Sequence, residues 1–214
     1  MLDTFKEYVK SLENVSDETI QKFSDYYNML LKWQVKINLI GNLSDDVWTR
    51  HFLDSIQIIK LIEGHDKKIL DLGSGAGFPG MILSILGYDV TLVESDSKKT
   101  TFLSEVKRIT KSNTKIFNGR IEDFKKSNFD VITSRACADL DALLEYAFPS
   151  VSHGTECIFH KGKNHLKEIS DAEKKWSFQF KIIPSITDSD GVILKLSNIT
   201  KRAGYDGKQP KIRS

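Results

Sequence analysis

The spacing of hydrophobic residues changes near residue 67 and divides the chain into two parts. In the first part, apolar side chains recur every three or four residues, the spacing of one face of a helix. Ser16 can cap a helix that continues to about Asn38, and Ser44 can cap a second helix that ends at Gly64. The side chains predicted to face inward on the second helix are Val47, Phe52, Ser55, Ile59 and Ile62. The pattern predicts an N-terminal helical cap over residues 1–64.

After residue 67, short apolar runs alternate with helical patterns. The predicted strands lie near residues 68–72, 89–94, 114–118, 129–134, 155–161, 179–184 and 192–197. The predicted helices lie between them, near residues 79–86, 97–110, 138–148 and 164–175. This alternation is typical of right-handed βαβ crossovers, and hence of a mainly parallel sheet with helices on both faces.

The last two predicted strands have no helix between them. Residues 187–191 indicate a turn, so these strands form a hairpin in which one strand runs antiparallel to the sheet. Seven strands with a terminal hairpin differ from the six-stranded dinucleotide-binding fold. We therefore predict an α/β, Rossmann-like core over residues 65–200, with the seven-stranded, mainly parallel sheet of class I methyltransferases that use S-adenosylmethionine (SAM).

Composition narrows the classes of protein. With 40% hydrophobic and 28% charged residues, the 214-residue chain is typical of a globular protein with one substantial core. Its first thirteen residues carry five charges, unlike a signal peptide, and its apolar runs are shorter than a membrane span. Cys137 and Cys157 are isolated in the sequence, which predicts reduced thiols and no metal site. We expect a cytoplasmic monomer with no membrane contact.

Positive charge is concentrated at the C-terminus. Residues 201–214 contain five basic side chains and one acidic side chain, a net charge of +4, which leaves 26 basic and 28 acidic side chains, a net charge of −2, in residues 1–200. The body of the protein is therefore not a basic nucleic-acid binder, whereas the basic tail can be one. A solvated terminus without a ligand would have the same composition.

The most informative segment is the sequence DLGSGAGFPG at residues 71–80. Asp71 lies near the end of the first predicted strand, and a loop containing Gly73 and Gly75 follows it. Glycine lets a ligand approach the backbone, and open α/β sheets bind ligands at the carboxyl ends of their strands. The loop also contains G-x-G-x-x-G, which fits a dinucleotide, but an acid before three alternating glycines favours SAM, whose amino group and sulfonium are cationic. We predict a SAM site with Asp71 beside the cationic part.

Two further segments fit the nucleoside part of this cofactor. Glu94 ends the second predicted strand, where a carboxylate can accept hydrogen bonds from both ribose hydroxyls, although the same residue could simply cap the next helix. Ile121 and Glu122 follow the third strand, where a backbone amide and an acid can hold an adenine. Glu122 could equally begin a short helix or a turn.

Positively charged side chains end the fourth and fifth predicted strands. Arg135 offers a fixed fork of donors and Lys161 a second cation at the same sheet edge, and either could instead form a structural salt bridge. In the second N-terminal helix, Arg50 and Asp54 are four residues apart on one face, with His51 beside them. The fourth strand does not end in the Asp/Asn-Pro-Pro-aromatic motif of enzymes that methylate exocyclic amines, and no Pro-Cys pair marks a pyrimidine C5 methyltransferase.

These motifs together resemble the RsmG family, also called glucose-inhibited division protein B, of bacterial methyltransferases that act on small-subunit ribosomal RNA. The matching sequences are KINL at 36–39, RHFLDS at 50–55, DLGSGAGFPG at 71–80, FDVITSRA at 129–136 and KG at 161–162. They follow the family's order along nearly the whole chain. Two departures concern RNA contacts more than the cofactor: no arginine follows the turn at Asp190 and Gly191, and the basic tail has only one proline, Pro210.

The resemblance implies transfer of a methyl group from SAM to N7 of a guanine in a loop of 16S rRNA, either free or in a small-subunit particle. It implies cofactor contacts at Gly73, Phe78, Ile121, Glu122 and Arg135. Guanine N7 has a lone pair and no proton, so no general base is expected. The residues expected to position the substrate are Arg135, Lys161, His51, Arg50 and Asp54. A SAM-dependent methyltransferase of small molecules, a nicotinamide-dependent reductase and a noncatalytic nucleotide-binding module remain as alternatives.

Overall fold

The computed structural model describes residues 2–12, 15–41, 46–125 and 127–203. The chain begins with two α-helices, α1 (Leu2–Lys10) and α2 (Asp17–Gln34). A third helical segment, which we call the mixed helix, is a π-helix over Trp48–Leu53, an α-helix (α3) over Asp54–Ile56 and a 3-10 helix over Gln57–Leu61. No helix in the described ranges is long and apolar enough to cross a membrane.

Helix α2 begins as predicted and ends earlier than predicted. The Ser16 side chain caps it by accepting a hydrogen bond from the Thr19 amide at 3.2 Å. At the other end, the Gln34 side chain accepts from the Leu39 and Ile40 amides at 2.9 and 3.0 Å and donates to the Ile40 carbonyl at 2.7 Å. These bonds replace helical ones, so the chain turns there. Ser44, the predicted cap of the next helix, lies outside the described residues.

The remainder of the chain alternates strands and helices. The strands are β1 (Lys68–Leu72), β2 (Asp89–Glu94), β3 (Lys115–Asn118), β4 (Val131–Arg135), β5 (Glu156–Lys161), β6 (Trp176–Pro184) and β7 (Val192–Lys201). The α-helices are α4 (Gly80–Ile85), α5 (Ser97–Thr110), α6 (Leu140–Ala147) and α7 (His165–Ala172), with short 3-10 helices at Ile121–Asp123 and Phe148–Ser150. All seven predicted strands and the four predicted helices between them are present, with ends shifted by up to four residues.

The strands form one seven-stranded sheet in the order β3-β2-β1-β4-β5-β7-β6. Strand β7 is antiparallel to both of its neighbours, and the other pairs of strands are parallel. The predicted α/β fold with a mainly parallel sheet and a terminal hairpin is therefore confirmed. The β6–β7 loop, residues 185–191, lies at the same sheet edge as the carboxyl ends of β1 to β5.

Hydrophobic layers cover both faces of the sheet because side chains alternate along each strand. On one face, Ile69 and Leu92 pack with α1, α2, the mixed helix, α4 and α5. On the other face, Leu70 and Ile132 pack with α6 and α7. The helices at the start of the chain thus share a hydrophobic core with the sheet.

Strand β7 extends beyond the predicted end of the core. It continues to Lys201, whose ammonium forms an ion pair with Glu145 at 2.8 Å. Arg202 follows and donates from Nε to the Trp176 carbonyl at 2.9 Å. The first two cations of the predicted basic tail are therefore held against the sheet, and residues 204–214 lie outside the described part of the chain.

Candidate active site

A glycine-rich loop connects β1 to α4 at the carboxyl edge of the sheet. Gly73, Gly75 and Gly77 have φ angles of 65°, 55° and 96°, which glycine adopts at little steric cost. A Cβ on Gly73 would lie 2.5 Å from Cys137 Sγ, whereas the nearest atom to a Cβ on Gly75 would be the Gly73 carbonyl oxygen at 3.9 Å. The backbone at Gly75 therefore borders open space that a ligand can occupy.

Helices from the start of the chain support this loop. Tyr26 of α2 donates its hydroxyl to the Ala76 carbonyl, and its ring stacks on Phe78 with the ring centres 5.3 Å apart. Phe52 of the mixed helix packs edge-on against Phe78, with the ring centres 5.2 Å apart. Aromatic packing therefore fixes the loop from the side of the N-terminal helices.

Asp71 lies beneath the loop, not at its surface. Leu70 and Leu72 pack on the α6 face of the sheet, so the Asp71 side chain between them points to the opposite face. There Oδ1 accepts a hydrogen bond from the Thr133 hydroxyl at 2.8 Å, and Oδ2 lies against Gly80, only 2.7 Å from where a Cβ would be. Burial raises the pKa of Asp71 to about 6. Asp71 was predicted to lie beside the cofactor, and the structure places its carboxylate beneath the loop, against Gly80.

A cleft of about 500 Å³, which we call the loop cleft, opens above the glycine-rich loop. It contains seven of the eight predicted cofactor residues: Gly73, Gly75, Phe78, Glu94, Ile121, Glu122 and Arg135. The Glu94 carboxylate is held in this cleft by the amides of Gly75 and Asp96, each at 2.8 Å. Lys99 and Tyr146 also line the cleft, and no sequence motif identified them.

Arg135 connects the loop to the mixed helix. Its guanidinium lies 5.0 Å from the centre of the Phe78 ring and donates to the Arg50 carbonyl at 2.9 Å and to Asp54 Oδ2 at 3.2 Å. Its second terminal nitrogen lies 2.7 Å from His51 Nδ1. Because a guanidinium can only donate, His51 Nδ1 accepts this bond, and a neutral imidazole then carries its proton on Nε2.

Direct hydrogen bonds therefore join four of the five residues that were predicted to position the substrate: Arg50, His51, Asp54 and Arg135. Three of them come from one segment of the mixed helix. Its first part is a π-helix, a rare conformation that is frequent at functional sites.

Asp54 also connects this group to the β6–β7 loop. Its Oδ1 accepts hydrogen bonds from the Thr187 hydroxyl and from Gln57 Nε2, both at 2.8 Å. Gln57 Oε1 in turn accepts a hydrogen bond from the Ile186 amide at 3.0 Å. Residues 185–191 are thereby tied to the mixed helix. Sequence reasoning missed Gln57 and Thr187 because neither belongs to a recognisable motif.

A second cleft, of about 630 Å³, lies beside the first, and we call it the hairpin cleft. His51, Arg135 and Ala136 line both clefts and form their shared wall. Ala136 has a φ of 53°, which is uncommon for a residue with a Cβ. The hairpin cleft is also lined by Arg50, Asp54, His160, Lys161, Thr187 and Asp188.

His160 and Lys161, at the end of β5, each hydrogen-bond to other residues of the protein. The Lys161 ammonium lies 2.7 Å from Glu168 Oε2 and donates to the Ala138 carbonyl at 2.8 Å. His160 Nε2 donates to the backbone carbonyl of Asp54 at 2.9 Å, and burial lowers the pKa of His160, which keeps it neutral at pH 7. The salt bridge weighed as an alternative for Lys161 is thus present. His160 was missed because a single histidine in a strand carries no motif.

The sheet order, the glycine-rich loop after β1 and the acid at the end of β2 define a class I SAM-dependent methyltransferase fold. A ribosomal protein L11 methylase from Lactobacillus delbrueckii subsp. bulgaricus has a similar structure, with a TM-score of 0.59 at 16% identity over 74% of this chain and 80% of that chain. An O-methyltransferase from Bacillus cereus, in complex with SAH, gives a TM-score of 0.56 at 18% identity over 92% of this chain and 100% of that chain. SAM, the cofactor predicted from the sequence, is the cofactor of this class.

The chain belongs to the GidB family, rRNA small subunit methyltransferase G, whose family model matches residues 19–193. A ribosomal RNA small subunit methyltransferase G from Paramagnetospirillum magneticum is 44% identical over 189 residues, which cover 87% of this chain and 92% of the relative. The protein of the same name from Rickettsia prowazekii is 38% identical over 87% of this chain and 98% of the relative. The family resemblance read from the motifs is therefore confirmed.

Proposed function

We propose that the chain transfers a methyl group from SAM to N7 of a guanine in 16S rRNA. The observation that carries this proposal is the wall of His51, Arg135 and Ala136 shared by the loop cleft and the hairpin cleft. A cofactor in the loop cleft and a base in the hairpin cleft would meet at this wall. Direct transfer of a methyl group requires such a juxtaposition of donor and acceptor.

The residues of the loop cleft fit SAM. The open backbone at Gly75 can receive the methionine part, and Glu94 can accept from ribose hydroxyls because each carboxylate oxygen has a second lone pair. Ile121 and Glu122, which follow β3, would hold the adenine. SAM supplies a methyl group activated by the sulfonium. Asp71, buried under the loop, would support the loop without contacting the cofactor.

The groups at the shared wall suit alignment of a nucleophile better than removal of a proton. His51 Nδ1 and the Asp54 carboxylate both accept from Arg135, which leaves the His51 proton on Nε2. Guanine N7 has an in-plane lone pair and no proton, and its methylated product is a cation that has no proton to lose. Such a reaction depends on positioning and electrostatic fit. The ion pair of Lys161 with Glu168 would fix the position of the end of β5, which lines the hairpin cleft.

The choice of N7 also constrains the RNA. N7 of a paired guanine lies in the deep, narrow major groove of an RNA helix, where side chains cannot read it. The proposed target is therefore an unpaired guanine whose base enters the hairpin cleft. We further propose that residues 1–64 act as a cap, and that residues 204–214, with three basic side chains and one acidic side chain, act as an arm that binds RNA phosphates.

The test uses 16S rRNA and small-subunit particles from a strain that lacks this protein. Purified protein is added with SAM that carries an isotopically labelled methyl group, and mass spectrometry of the digested RNA identifies the methylated nucleoside. We expect 7-methylguanosine at one position. Label on an exocyclic amine, on a ribose or on ribosomal protein would contradict the proposal.

A matched pair of variants tests the role of the shared wall. Arg135→Lys keeps the charge but loses the fork that reaches both His51 and Asp54, so we expect kcat/KM to fall by about 100-fold. Arg108→Lys is the control, because Arg108 is exposed and, among the described residues, forms its ion pair with Glu105 of its own helix. Equal activity of the two variants would remove Arg135 from the mechanism.

A further inference from the structure

The lining of the hairpin cleft includes an acidic side chain to which the proposed reaction assigns no role. Asp188 lies in the β6–β7 loop and lines this cleft. Its Oδ1 accepts a hydrogen bond from the Asp190 amide at 2.9 Å, and its Oδ2 accepts none from any described residue. Asp188 is exposed at the edge of the cleft, so its Oδ2 is open to a ligand that enters there.

The position of Asp188 is fixed by its loop. A Cβ on Gly191 would lie 3.1 Å from Asp188 Cβ and 3.3 Å from its Cγ, so the side chain rests closely on a residue that has no side chain of its own. The Ser185 amide donates to the Gly191 carbonyl at 3.0 Å and closes the loop. Thr187 and Ile186 anchor the same loop to the mixed helix. The carboxylate is thus presented by a structured loop.

The charge of Asp188 indicates which part of an RNA it can contact. A carboxylate repels phosphates and accepts hydrogen bonds from N–H groups. The other carboxylate of the hairpin cleft, Asp54, already accepts from Arg135, Thr187 and Gln57. Asp188 is therefore the acidic group of this cleft best placed to receive a donor from a base.

Guanine is the standard RNA base with two adjacent donors, N1–H and the 2-amino group, on one edge, and a carboxylate can accept from both. N7 lies at the other end of the purine. Strand β5 separates β4 from β7, so the loop of Asp188 lies about 10 Å along the sheet from the end of β4, at two strand spacings. A purine in the hairpin cleft that spans this distance can present N7 to the shared wall and its donor edge to Asp188.

We propose that Asp188 is the residue that selects guanine, by accepting hydrogen bonds from N1–H and the 2-amino group while N7 faces the shared wall. This inference rests on the proposed function and names a recognition group for it. Asp188 would contact the substrate without taking part in transfer of the methyl group.

The experiment combines a change in the protein with a change in the base. The substrate is the smallest RNA or particle that the wild-type protein methylates, prepared with either guanosine or inosine at the target. Inosine keeps N7, O6 and N1–H and lacks the 2-amino group. Asp188→Asn keeps the Oδ1 that accepts from the Asp190 amide and replaces Oδ2 with a donor. Asp188→Ala is the second variant, and Asp190→Asn, in the same loop but not lining the cleft, is the control.

On the guanosine substrate, we expect kcat/KM of Asp188→Asn and of Asp188→Ala to fall by about 10- to 100-fold, the value of a hydrogen bond to a charged group. Inosine should cause a loss of similar size in the wild-type protein. The combined loss in Asp188→Asn with inosine should be smaller than the product of the two losses by about fivefold or more, because both changes remove the same contact. The two Asp188 variants should bind SAM with the affinity of the wild-type protein. The control, Asp190→Asn, should have the wild-type kcat/KM.

The outcomes separate this inference from the proposed function. If the wild-type protein methylates guanosine N7 but the losses caused by Asp188→Asn and by inosine simply multiply, the role of Asp188 is overturned and the proposed function stays intact. Wild-type activity of both Asp188 variants would do the same. Failure of the wild-type protein to methylate N7 would overturn the proposed function and this inference together.

Discussion

The loop cleft and the hairpin cleft meet at one wall, yet they are built from different parts of the chain. The loop cleft is shaped mainly by backbone. Gly73, Gly75 and Gly77 lie within five residues and all have positive φ angles. Glu94, at the end of the adjacent strand, accepts from the backbone amides of Gly75 and Asp96. The groups that would meet a ligand therefore come mainly from the carboxyl ends of four strands, β1 to β4.

The hairpin cleft depends instead on side chains that are far apart in sequence. Asp54 accepts from Arg135, 81 positions later, and from Thr187, 133 positions later. Gln57 accepts from the Ile186 amide, 129 positions later. No single segment contains this network, and it forms only when the mixed helix, β4 and the hairpin pack together.

This difference has a consequence for mutation. A backbone turn that requires glycine leaves no alternative position for an added side chain, so one substitution can close the loop cleft. Loss of one hydrogen bond to a charged group costs about 1.5–3 kcal/mol, so a substitution in the network should weaken function without abolishing it. We therefore expect substitutions in the loop cleft to have the largest effects, and we expect those effects on cofactor binding.

The largest expected effect is that of Gly75→Val. A Cβ at this position points into open space in the loop cleft, so the Gly75→Val protein should still fold. The valine side chain would occupy the volume that the ligand needs. We expect the affinity for SAM, measured by calorimetry, to fall by about 100-fold or more, equivalent to about 2.8 kcal/mol.

Gly87→Val is the matched control for this substitution. Gly87 also has a positive φ, of 100°, and a Cβ there meets no atom within 4 Å, but the residue does not line the loop cleft. Backbone strain should cost each variant about 1–3 kcal/mol of unfolding free energy. Equal SAM affinities in the two variants would show that Gly75 does not border the cofactor.

A smaller effect is expected for Asp54→Asn, which weakens the hairpin network without touching the glycine-rich loop. The ion pair with Arg135 is mostly buried, with 16% and 15% of the two side chains exposed. Loss of the negative charge should cost about 2 kcal/mol of unfolding free energy, less than for a fully buried pair. Misplacement of Arg135 should lower kcat/KM for RNA by about 10- to 100-fold. SAM affinity should fall less than this, because Arg135 is only one of several residues that line the loop cleft.

Asp89→Asn is the control for Asp54→Asn. Asp89 pairs with Lys115 at 2.9 Å, but both side chains are exposed, at 36% and 64%. Its loss should change the unfolding free energy by less than about 0.5 kcal/mol. If Asp54→Asn reduced SAM affinity as strongly as RNA methylation, the two clefts would not be functionally separate.

The same comparison explains what could be predicted from the sequence. Strands, helices and the loop cleft depend on local patterns: apolar spacing, glycines, and acids at strand ends. Seven of the eight predicted cofactor residues line that cleft for this reason. Asp71 is the exception, because the sequence does not indicate that Leu70 and Leu72 take the α6 face and leave Asp71 to point under α4.

The hairpin cleft could be predicted only in part. Arg50, His51 and Asp54 were found through a motif, but their contacts with Arg135 depend on the packing of the mixed helix against the end of β4. Nothing local in the sequence relates Gln57 to the loop that it binds. Contacts between distant segments require the tertiary structure.

The smallest expected effect concerns the basic arm at residues 204–214. Because Lys201 and Arg202 are held by the fold, the arm contributes three basic side chains: Lys208, Lys211 and Arg213. Each phosphate neutralised on single-stranded RNA adds about 0.7 to the slope of log affinity against log salt concentration. If two of the three cations bind phosphates, truncation after Ala203 should reduce that slope by about 1.4.

A variant of unchanged length, with glutamine in place of these three basic residues, separates loss of charge from loss of chain. We expect it to show the same reduced slope as the truncated protein in RNA-binding titrations from low to high salt. SAM affinity should be unchanged in both, because the described residues that line the loop cleft all lie between Leu39 and Tyr146 and include every predicted cofactor residue except Asp71. An unaltered slope in both proteins would mean that RNA is held by the two clefts and the folded surface, with no contribution from the arm.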